Sequence, residues 1–489
     1  MLWRKSIDTG VIPEVLKISN ITPIYNGGSR QIPKNYRPVA LTSHLIKLFE
    51  KILRNHLVSF IEHNNLMNPN QHGFRTGHSC LSQLIQHFDR ITKLLEEGEN
   101  ADVVYLDFAK AFDKLDFEVT LEKLKNMGIK GKLHKWIESF LTGRKQFVLV
   151  EGEKSEAVQV QSGVPQGSVI GPLLFLILLK DIDKDVRSSW VSSFADDTRV
   201  LAGVKNQEDV RQLQTDLDSI YRWAHVNNCM FNADKFECLR YGNDDVLKQS
   251  TNYVSSNKVS IACKDSVRDL GVQVSADAQF KVHISNTIVS ANLKCGWVLR
   301  SFVTRDRLPM LTLWKSLILP ILDYCCPLWC PHKPGQIQSL EMVQVSFVNK
   351  ISGMYEYDYW QQLKILKLNS LERRRERYVV IYVWKLLEGL VPNFGIEEAH
   401  NKRKGRYCVV PIVKTKGSIR IQSLRFNSFG VRGPRIFNSL PQKLRDMSGC
   451  SLDTFKRALD SHLKNIPDEP RVGKLIKYCA KASNSLLDC

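Results

Sequence analysis

The stretch SSFADDTRVL, Ser192–Leu201, constrains the fold more than any other. Two aspartates stand side by side between two short β-prone arms, a pattern that predicts a hairpin with the acids at its turn. Adjacent carboxylates repel, and burying either one unpaired is costly. A cation is therefore expected there. A third acid, Asp107, ends a run in which Val103, Val104, Tyr105 and Leu106 predict a strand covered on both faces. Asp107 and Asp196 lie 89 residues apart, so only a fold can join them.

Clustered carboxylates suit Mg²⁺, a hard cation that binds oxygen and is seldom caged by protein alone. Two such ions can clamp an in-line displacement at phosphorus, one at the attacking hydroxyl and one at the leaving oxygen. Taken singly, the acids have plainer readings. Asp favours turns, and an Asp at a strand end is ordinary. The context narrows the choice. QSGVPQGSVIGPLL sets Gly163, Gly167 and Gly171 around Pro165 and Gln166. Glycine lets backbone approach a ligand closely, and this loop feeds an apolar helix, as a platform for a base pair would. The plainer reading is a loop-to-helix cap built on Ser168. Phe112 follows Asp107 by five residues, where a strand-to-helix turn brings its ring beside a sugar or into the core.

Charge is unevenly placed. The chain carries 69 Lys+Arg against 50 Asp+Glu, for +19 at pH 7. Between Asn401 and Cys489 there are 19 basic and 6 acidic residues. A surplus of this kind favours a polyanionic partner and makes the tail a candidate phosphate contact. The longest apolar run, PLLFLILL at Pro172–Leu179, falls far short of the ~20 residues a membrane span needs, so no membrane partner is expected. Scattered cysteines and an opening MLWRKSIDTG without signal-peptide features suggest a reducing, intracellular setting. Cys325, Cys326, Cys330 and His332 cluster, but no second pair lies nearby to complete a zinc site.

Helical periodicity marks HLIKLFEKILRNHLVSFIEHN, with Leu45, Leu48, Phe49, Ile52, Leu53 and Leu57 apolar. It also marks NQEDVRQLQTDLDSIYRWAHVNN, with Val210, Leu213, Leu217, Ile220 and Tyr221 on one side. After about residue 285 the pattern is mainly helical, and from 391 it turns basic and polar.

YLDFAKAFD, SGVPQGSVIGPLLF and FADD, in that order, resemble the palm motifs of reverse transcriptases, and more narrowly those of LINE-type (non-LTR) retrotransposons near the Jockey and CR1 groups. ITPIYNGGSR, NYRPVALTSHLIKLFEKIL, NQHGFRTGHS, RDLGVQVSADAQFKVHI, LILPILDY and FNSFGVRGPRIFNSLP resemble further blocks of that family. The resemblance implies an α+β right-hand polymerase. Fingers and palm with an antiparallel sheet would occupy 1–285, a helical thumb 286–390, and a basic nucleic-acid-binding region 391–489. It implies an RNA-directed DNA polymerase that extends a primer 3′-hydroxyl with dNTPs on an RNA template, using two Mg²⁺ ions. Asp107, Asp196 and Asp197 would be the metal ligands and Lys235 a proton donor to pyrophosphate. Arg37 would contact the triphosphate, Phe112 would reject the ribose 2′-hydroxyl, and Gln166 and Gly167 would pack near nucleotide and template. Asp269 to Val272 would belong to the primer grip. DNA primer and target place this activity in the nucleus, with the cytoplasm as the alternative.

Departures bear on this reading. Asn26 stands where family members often have Lys, which forfeits a charge-assisted phosphate contact of about 1.5–3 kcal/mol. Lys180-Asp181 replaces the common Asn-Asp, and Phe194 replaces a frequent Tyr. The chain opens inside the finger region, so the family's upstream extension and endonuclease would be missing, as in an N-terminally truncated element protein. A decayed or co-opted fragment that binds RNA or DNA without polymerising is the alternative. An RNA-directed RNA polymerase is a third reading, which Phe112 opposes.

Overall fold

The computed structural model describes residues 2–414, 418–469 and 485–487. The first elements are α1 (Leu2–Thr9), β1 (Ile18–Tyr25), β2 (Tyr36–Leu41), α2 (His44–His63) and α3 (Cys80–Glu96). Next come β3 (Asn100–Leu106), α4 (Phe117–Asn126), α5 (Gly131–Leu141), β4 (Lys145–Val150), β5 (Glu153–Lys154), β6 (Val158–Gln159) and α6 (Gly171–Leu179). They are followed by β7 (Trp190–Phe194), β8 (Asp197–Val204), α7 (Gln207–Val226) and β9 (Glu237–Tyr241). After β10 (Ala262–Cys263) and the hairpin β11 (Ser266–Asp269) and β12 (Val272–Ser275), helices dominate, beginning with Lys281–Ser301. The fold is α+β.

The chain divides into two units. One takes the chain up to Thr76, then Asp102–Cys238 and Asp245–Cys263. The other takes Gly77–Ala101, Leu239–Asp244 and the described residues from Lys264 onward.

In the first unit β2, β1, β4 and β5 form a sheet, with β6 also paired to β4. Strands β1 and β2 are antiparallel, which sets Tyr25 against Tyr36 and Ile24 against Arg37. The central sheet has the order β10-β9-β3-β8-β7. Strand β3 is an inner strand, and its Val103 and Val104 are fully buried, as is Asp102, whose carboxylate accepts from the Tyr253 hydroxyl at 2.6 Å. Strands β7 and β8 make the expected hairpin, from Trp190 facing Leu201 to Phe194 facing Asp197. Helix α6 is apolar on every side, and Leu173 through Leu179 are all buried. A helix without a polar face belongs inside a core. It packs with Val104, Leu106 and Phe140. Helix α7 buries Val210, Leu213, Leu217 and Ile220 as its periodicity predicts.

Helix α2 spans the expected residues but presents a different face inward. Phe49, Leu53 and Leu57 are buried together with Ile46, Ile61 and the charged Glu50, whereas Leu45, Leu48 and Ile52 are exposed. The reason is a tertiary bond. The Glu50 Oε2 accepts the backbone N–H groups of Val169 at 2.7 Å and Ile170 at 2.9 Å, just ahead of α6. Satisfying those donors rotates a carboxylate inward at the expense of leucines. Burial raises the pKa of Glu50, and the two N–H bonds oppose that rise.

The second unit has an aromatic core in which Trp384 stacks on Phe455 at 4.6 Å and Trp314 tilts against Phe347 at 5.0 Å. Four arginines of the basic tail are buried in it: Arg406, Arg425, Arg432 and Arg445. Arg406 pairs with Glu388 at 2.6 Å and Glu398 at 2.8 Å. Arg425 pairs with Asp89 of α3 at 2.6 Å. Arg432 donates to the carbonyls of Cys330 and Pro327, each at 2.8 Å. Arg445 donates to the carbonyls of Leu440, Arg406 and Lys404. The tail's charge is thus partly internal, and its outward basic surface is smaller than composition suggests. Cys326 is fully buried, and among the described residues no three or more His, Cys, Asp or Glu side chains, the Cys325–His332 cluster included, converge to hold a metal.

Candidate active site

The loop between β7 and β8 has two residues, Ala195 and Asp196, and Asp197 opens β8. Ala195 has φ +54° while Asp196 does not enter the positive region. Positive φ at the first loop residue alone is the II′ hairpin pattern, which favours glycine at that place. The sequence supplies alanine, so the surroundings must hold the turn. Ser193 and Thr198 face each other across the strands, their hydroxyls 2.9 Å apart.

Asp107 lies one residue past β3. Its carbonyl accepts the N–H of Asn232 at 2.8 Å, and Ala109 N–H donates to Met230 O at 2.8 Å. These bonds lay the segment before Lys235 against the strand end. The Lys235 ammonium then reaches the Asp107 carboxylate at 3.0 Å, with the lysine side chain 64% exposed. Lys235 closes a short 3₁₀ turn, Ala233–Lys235.

The three acids are electrostatic neighbours. The pKa of Asp196 is raised, first by burial and then by the Asp107 charge, against the opposing charges of Arg37 and Lys235. That of Asp197 is raised by burial and by Asp196, with Asp107 adding to the rise and Arg199 and Lys235 opposing it. Asp107, Asp197 and Lys235, and through Asp196 also Arg37, are thus within electrostatic range of the turn in the first unit. The excess negative charge is what a dication would relieve. Among the described residues the acids do not form a ready-made cage of three ligands. Mg²⁺ asks for less, since it keeps several waters and takes one or two carboxylates with substrate phosphate oxygens. The donor set fits that requirement.

The loop before α6 is held closely. Ala40 N–H donates to Gln166 O at 2.7 Å. Gly167 has φ +127°, and a Cβ there would sit 2.6 Å from Ala40 O, so only glycine fits. The Gln166 Nε2 donates to Asp113 Oδ1 at 2.8 Å, which binds this loop to the segment carrying Phe112. The N-cap of α6 is Ile170 and not the Ser168 of the plainer reading, although Ser168 Oγ accepts the Gly171 N–H at 3.2 Å and Glu50 takes the two N–H groups before it. Phe112 is half-buried. Its ring tilts against Phe175 at 4.8 Å and meets Phe74 edge-on at 6.3 Å. Arg37 is an exposed residue of β2.

Beside this loop runs a cleft of about 430 Å³ lined by Lys110, Lys114, Arg144, Gln146, Gln161 and Gln166. Arg144 is buried and donates to Ser19 Oγ at 2.8 Å, and burial pulls its pKa down to about 10. The primer-grip candidate, Asp269 to Val272, forms the β11–β12 turn and lies in the second unit. Asp181 has a structural task, since its Oδ1 accepts from Lys123 at 2.5 Å and from Trp223 Nε1 at 2.9 Å.

Glu50, Asp113 and Gln71 escaped the sequence reading. The first two anchor the loop before α6, and Gln71 touches the aspartate turn. Gln71 sits within NQHGF, a block with a visible family resemblance but no role attached to its residues. A polar residue two positions before Gly73 in such a block was the signal available.

Residues 25–274, just over half of the chain, match the reverse transcriptase (RNA-dependent DNA polymerase) family, and the chain belongs to that family. Within it, the chain is similar to the RNA-directed DNA polymerase from mobile element jockey of Drosophila melanogaster. That relative is 26% identical over 396 residues, which cover 78% of this chain and 43% of the relative. The probable RNA-directed DNA polymerase from transposon BS of Drosophila melanogaster is 29% identical over 397 residues, with the same two coverages, 78% and 43%. The chain thus spans less than half the length of these relatives. Among solved structures, apo telomerase from Candida tropicalis is similar over 75% of this chain and 64% of its own, with a TM-score of 0.43 and 10% identity. No helix among the described residues is long and apolar enough to cross a membrane.

Proposed function

We propose that this chain is an RNA-directed DNA polymerase of a non-LTR retrotransposon. The observation that carries the proposal is the nearness of Asp107 to the Asp196–Asp197 turn, where its charge adds to burial in raising the pKa of both turn acids, with Lys235 at 3.0 Å from Asp107. Asp107, Asp196 and Asp197 would hold two Mg²⁺ ions, which supply charge neutralisation and lower the pKa of the attacking hydroxyl. The primer 3′-hydroxyl oxygen bonds to the α-phosphorus of a deoxynucleoside triphosphate. The bond from that phosphorus to the pyrophosphate oxygen breaks, and the hydroxyl proton passes to solvent. Lys235 donates its proton to the departing pyrophosphate and regains one from water.

Arg37, a permanently charged fork, binds the triphosphate. Phe112, backed by Phe175, closes the space a 2′-hydroxyl would need. Gln166 and Gly167 support the nascent pair, and the template strand follows the basic cleft beside them. Residues 1–285 would serve as fingers and palm, 286–390 as thumb, and 391–489 as a basic region for nucleic acid. Target DNA would place the activity in the nucleus.

Primer extension on poly(A)/oligo(dT) with Mg²⁺ and labelled dTTP tests the proposal. Extension that Asp196→Asn abolishes, with template affinity kept, is the expected result. Template binding without extension by the wild type would select a non-polymerising binder. Extension by UTP in preference to dTTP would select an RNA polymerase.

A further inference from the structure

The aspartate turn is held from outside its own hairpin. Residues 68–75 pass alongside β7, which is an edge strand of the central sheet. Ser193 N–H donates to Asn70 O at 3.0 Å, and His72 N–H donates to Ser193 O at 2.8 Å. The strap thus covers an edge that would otherwise present unpaired backbone. Its far end is tied down by Arg75, which forms a two-pronged pair with Glu62 of α2 at 3.1 and 2.8 Å.

Between these anchors Gln71, only 4% exposed, turns its amide onto the loop. Its Oε1 accepts the Ala195 N–H at 2.9 Å and the Gly73 N–H at 2.8 Å. Its Nε2 donates to Ala195 O at 3.3 Å. One side chain therefore grips both polar groups of the residue that carries the positive φ. Gly73 makes the approach possible, because a Cβ there would lie 2.3 Å from the Ala195 nitrogen.

We infer that Gln71 is a positioning residue: it clamps Ala195 in its left-handed conformation and so fixes where the adjoining Asp196 carboxylate points. Left alone, an alanine at that φ relaxes toward ordinary backbone, because its Cβ crowds the carbonyl. Relaxation would swing Asp196 relative to Asp107. Displacement of a reacting group by about 1 Å can cost on the order of 100-fold in rate. The catalytic consequence rests on the polymerase reading. The clamp itself does not.

The test uses Gln71→Met, which keeps length and apolar bulk but removes all three hydrogen bonds, and the double variant Gln71→Met with Ala195→Gly. Glycine adopts positive φ without the Cβ penalty, so it should hold the turn unaided. Two readouts are taken on the full chain. Amide exchange across 193–197 should accelerate in Gln71→Met. The kcat for primer extension should fall about 100-fold, with dNTP KM and template affinity within twofold of wild type. Ala195→Gly should restore at least about tenfold of that loss, a recovery that general loss of packing would not give. Exchange at 193–197 unchanged in Gln71→Met overturns the clamp. A kcat within threefold of wild type, or no recovery in the double variant, overturns the positioning role while the polymerase reading stands. Should the wild type itself fail to extend a primer, the polymerase reading fails and the exchange experiment alone decides the clamp.

Discussion

The Lys235 ammonium stands 3.0 Å from the Asp107 carboxylate, so an exposed side chain of the protein neutralises one end of the acid cluster. A metal that binds Asp107 would compete with that lysine and free its ammonium. Lys235→Ala should therefore act in two directions. The Mg²⁺ concentration for half-maximal extension should fall, because a competing cation is gone. The kcat should fall by about 100-fold or more, the usual worth of a positioned proton donor. A Mg²⁺ titration of single-nucleotide extension measures both. An unchanged kcat would leave Lys235 as a charge partner only.

Burial raises the pKa values of Asp196 and Asp197, the Asp107 charge adds to both, and Asp196 adds to that of Asp197. The folded state then holds their protons more tightly than the unfolded chain. This contribution to stability is complete at low pH and is lost as pH rises through the raised values. At pH 7 without metal the two charges are a burden. Asp196→Asn should raise the melting temperature of the metal-free protein by a few degrees at pH 7, and the gain should shrink as pH falls toward 4. Added Mg²⁺ should stabilise the wild type by mass action and leave the variant nearly unmoved. Thermal melts with and without Mg²⁺ at several pH values check this.

Phe112 is braced by Phe175 and Phe74, so its ring cannot easily yield to a larger sugar. Phe112→Val should relax discrimination against ribonucleotides by about 10–100-fold, the range one hydrophobic wall commands. Relative incorporation of dTTP and UTP by wild type and variant gives the number. Equal discrimination by both would remove Phe112 from the sugar gate.

The buried arginines of the tail call for a different experiment from the exposed ones. Arg425 is paired with Asp89 at 2.6 Å and Glu96 at 3.3 Å. Arg425→Ala leaves the half-buried Glu96 without its cation and Asp89 with Lys93 alone, at 2.8 Å, and should destabilise the second unit by about 3 kcal/mol, read as a shift of the urea midpoint.

Lys402, Arg403 and Lys404 are exposed at the turn between the strands Glu398–Asn401 and Gly405–Cys408. Their replacement by alanine should leave stability intact and lower the slope of log K against log salt by roughly 2–3, if each neutralises one phosphate. Binding isotherms on a DNA duplex at several salt concentrations test it, and an unaltered slope would remove this turn from the contact surface. Deleting the whole tail could not separate these effects, since it would also remove the buried Arg425 from Asp89 and Glu96.

Much of the molecule was legible in the sequence. Strand β3, the β7–β8 hairpin, the buried helix α6 and the inward face of α7 follow from the spacing of apolar residues along a few turns or a few strand positions. The three acids and Gly167 could be picked out because the ordered short motifs that carry them resemble those of reverse transcriptases. Each of these signals is local, and local geometry has a fixed period that spacing reports directly.

Only the tertiary structure decided the rest. Glu50 faces inward while Leu45, Leu48 and Ile52 face out, because two backbone donors more than a hundred residues away needed an acceptor. Gln71 reaches a turn 124 residues further on, and Arg425 reaches an aspartate 336 residues back. A hydrogen bond or ion pair forms between whatever groups packing brings within about 3 Å. No periodicity along the chain encodes that distance, so the supports of this site could be seen only in the folded molecule.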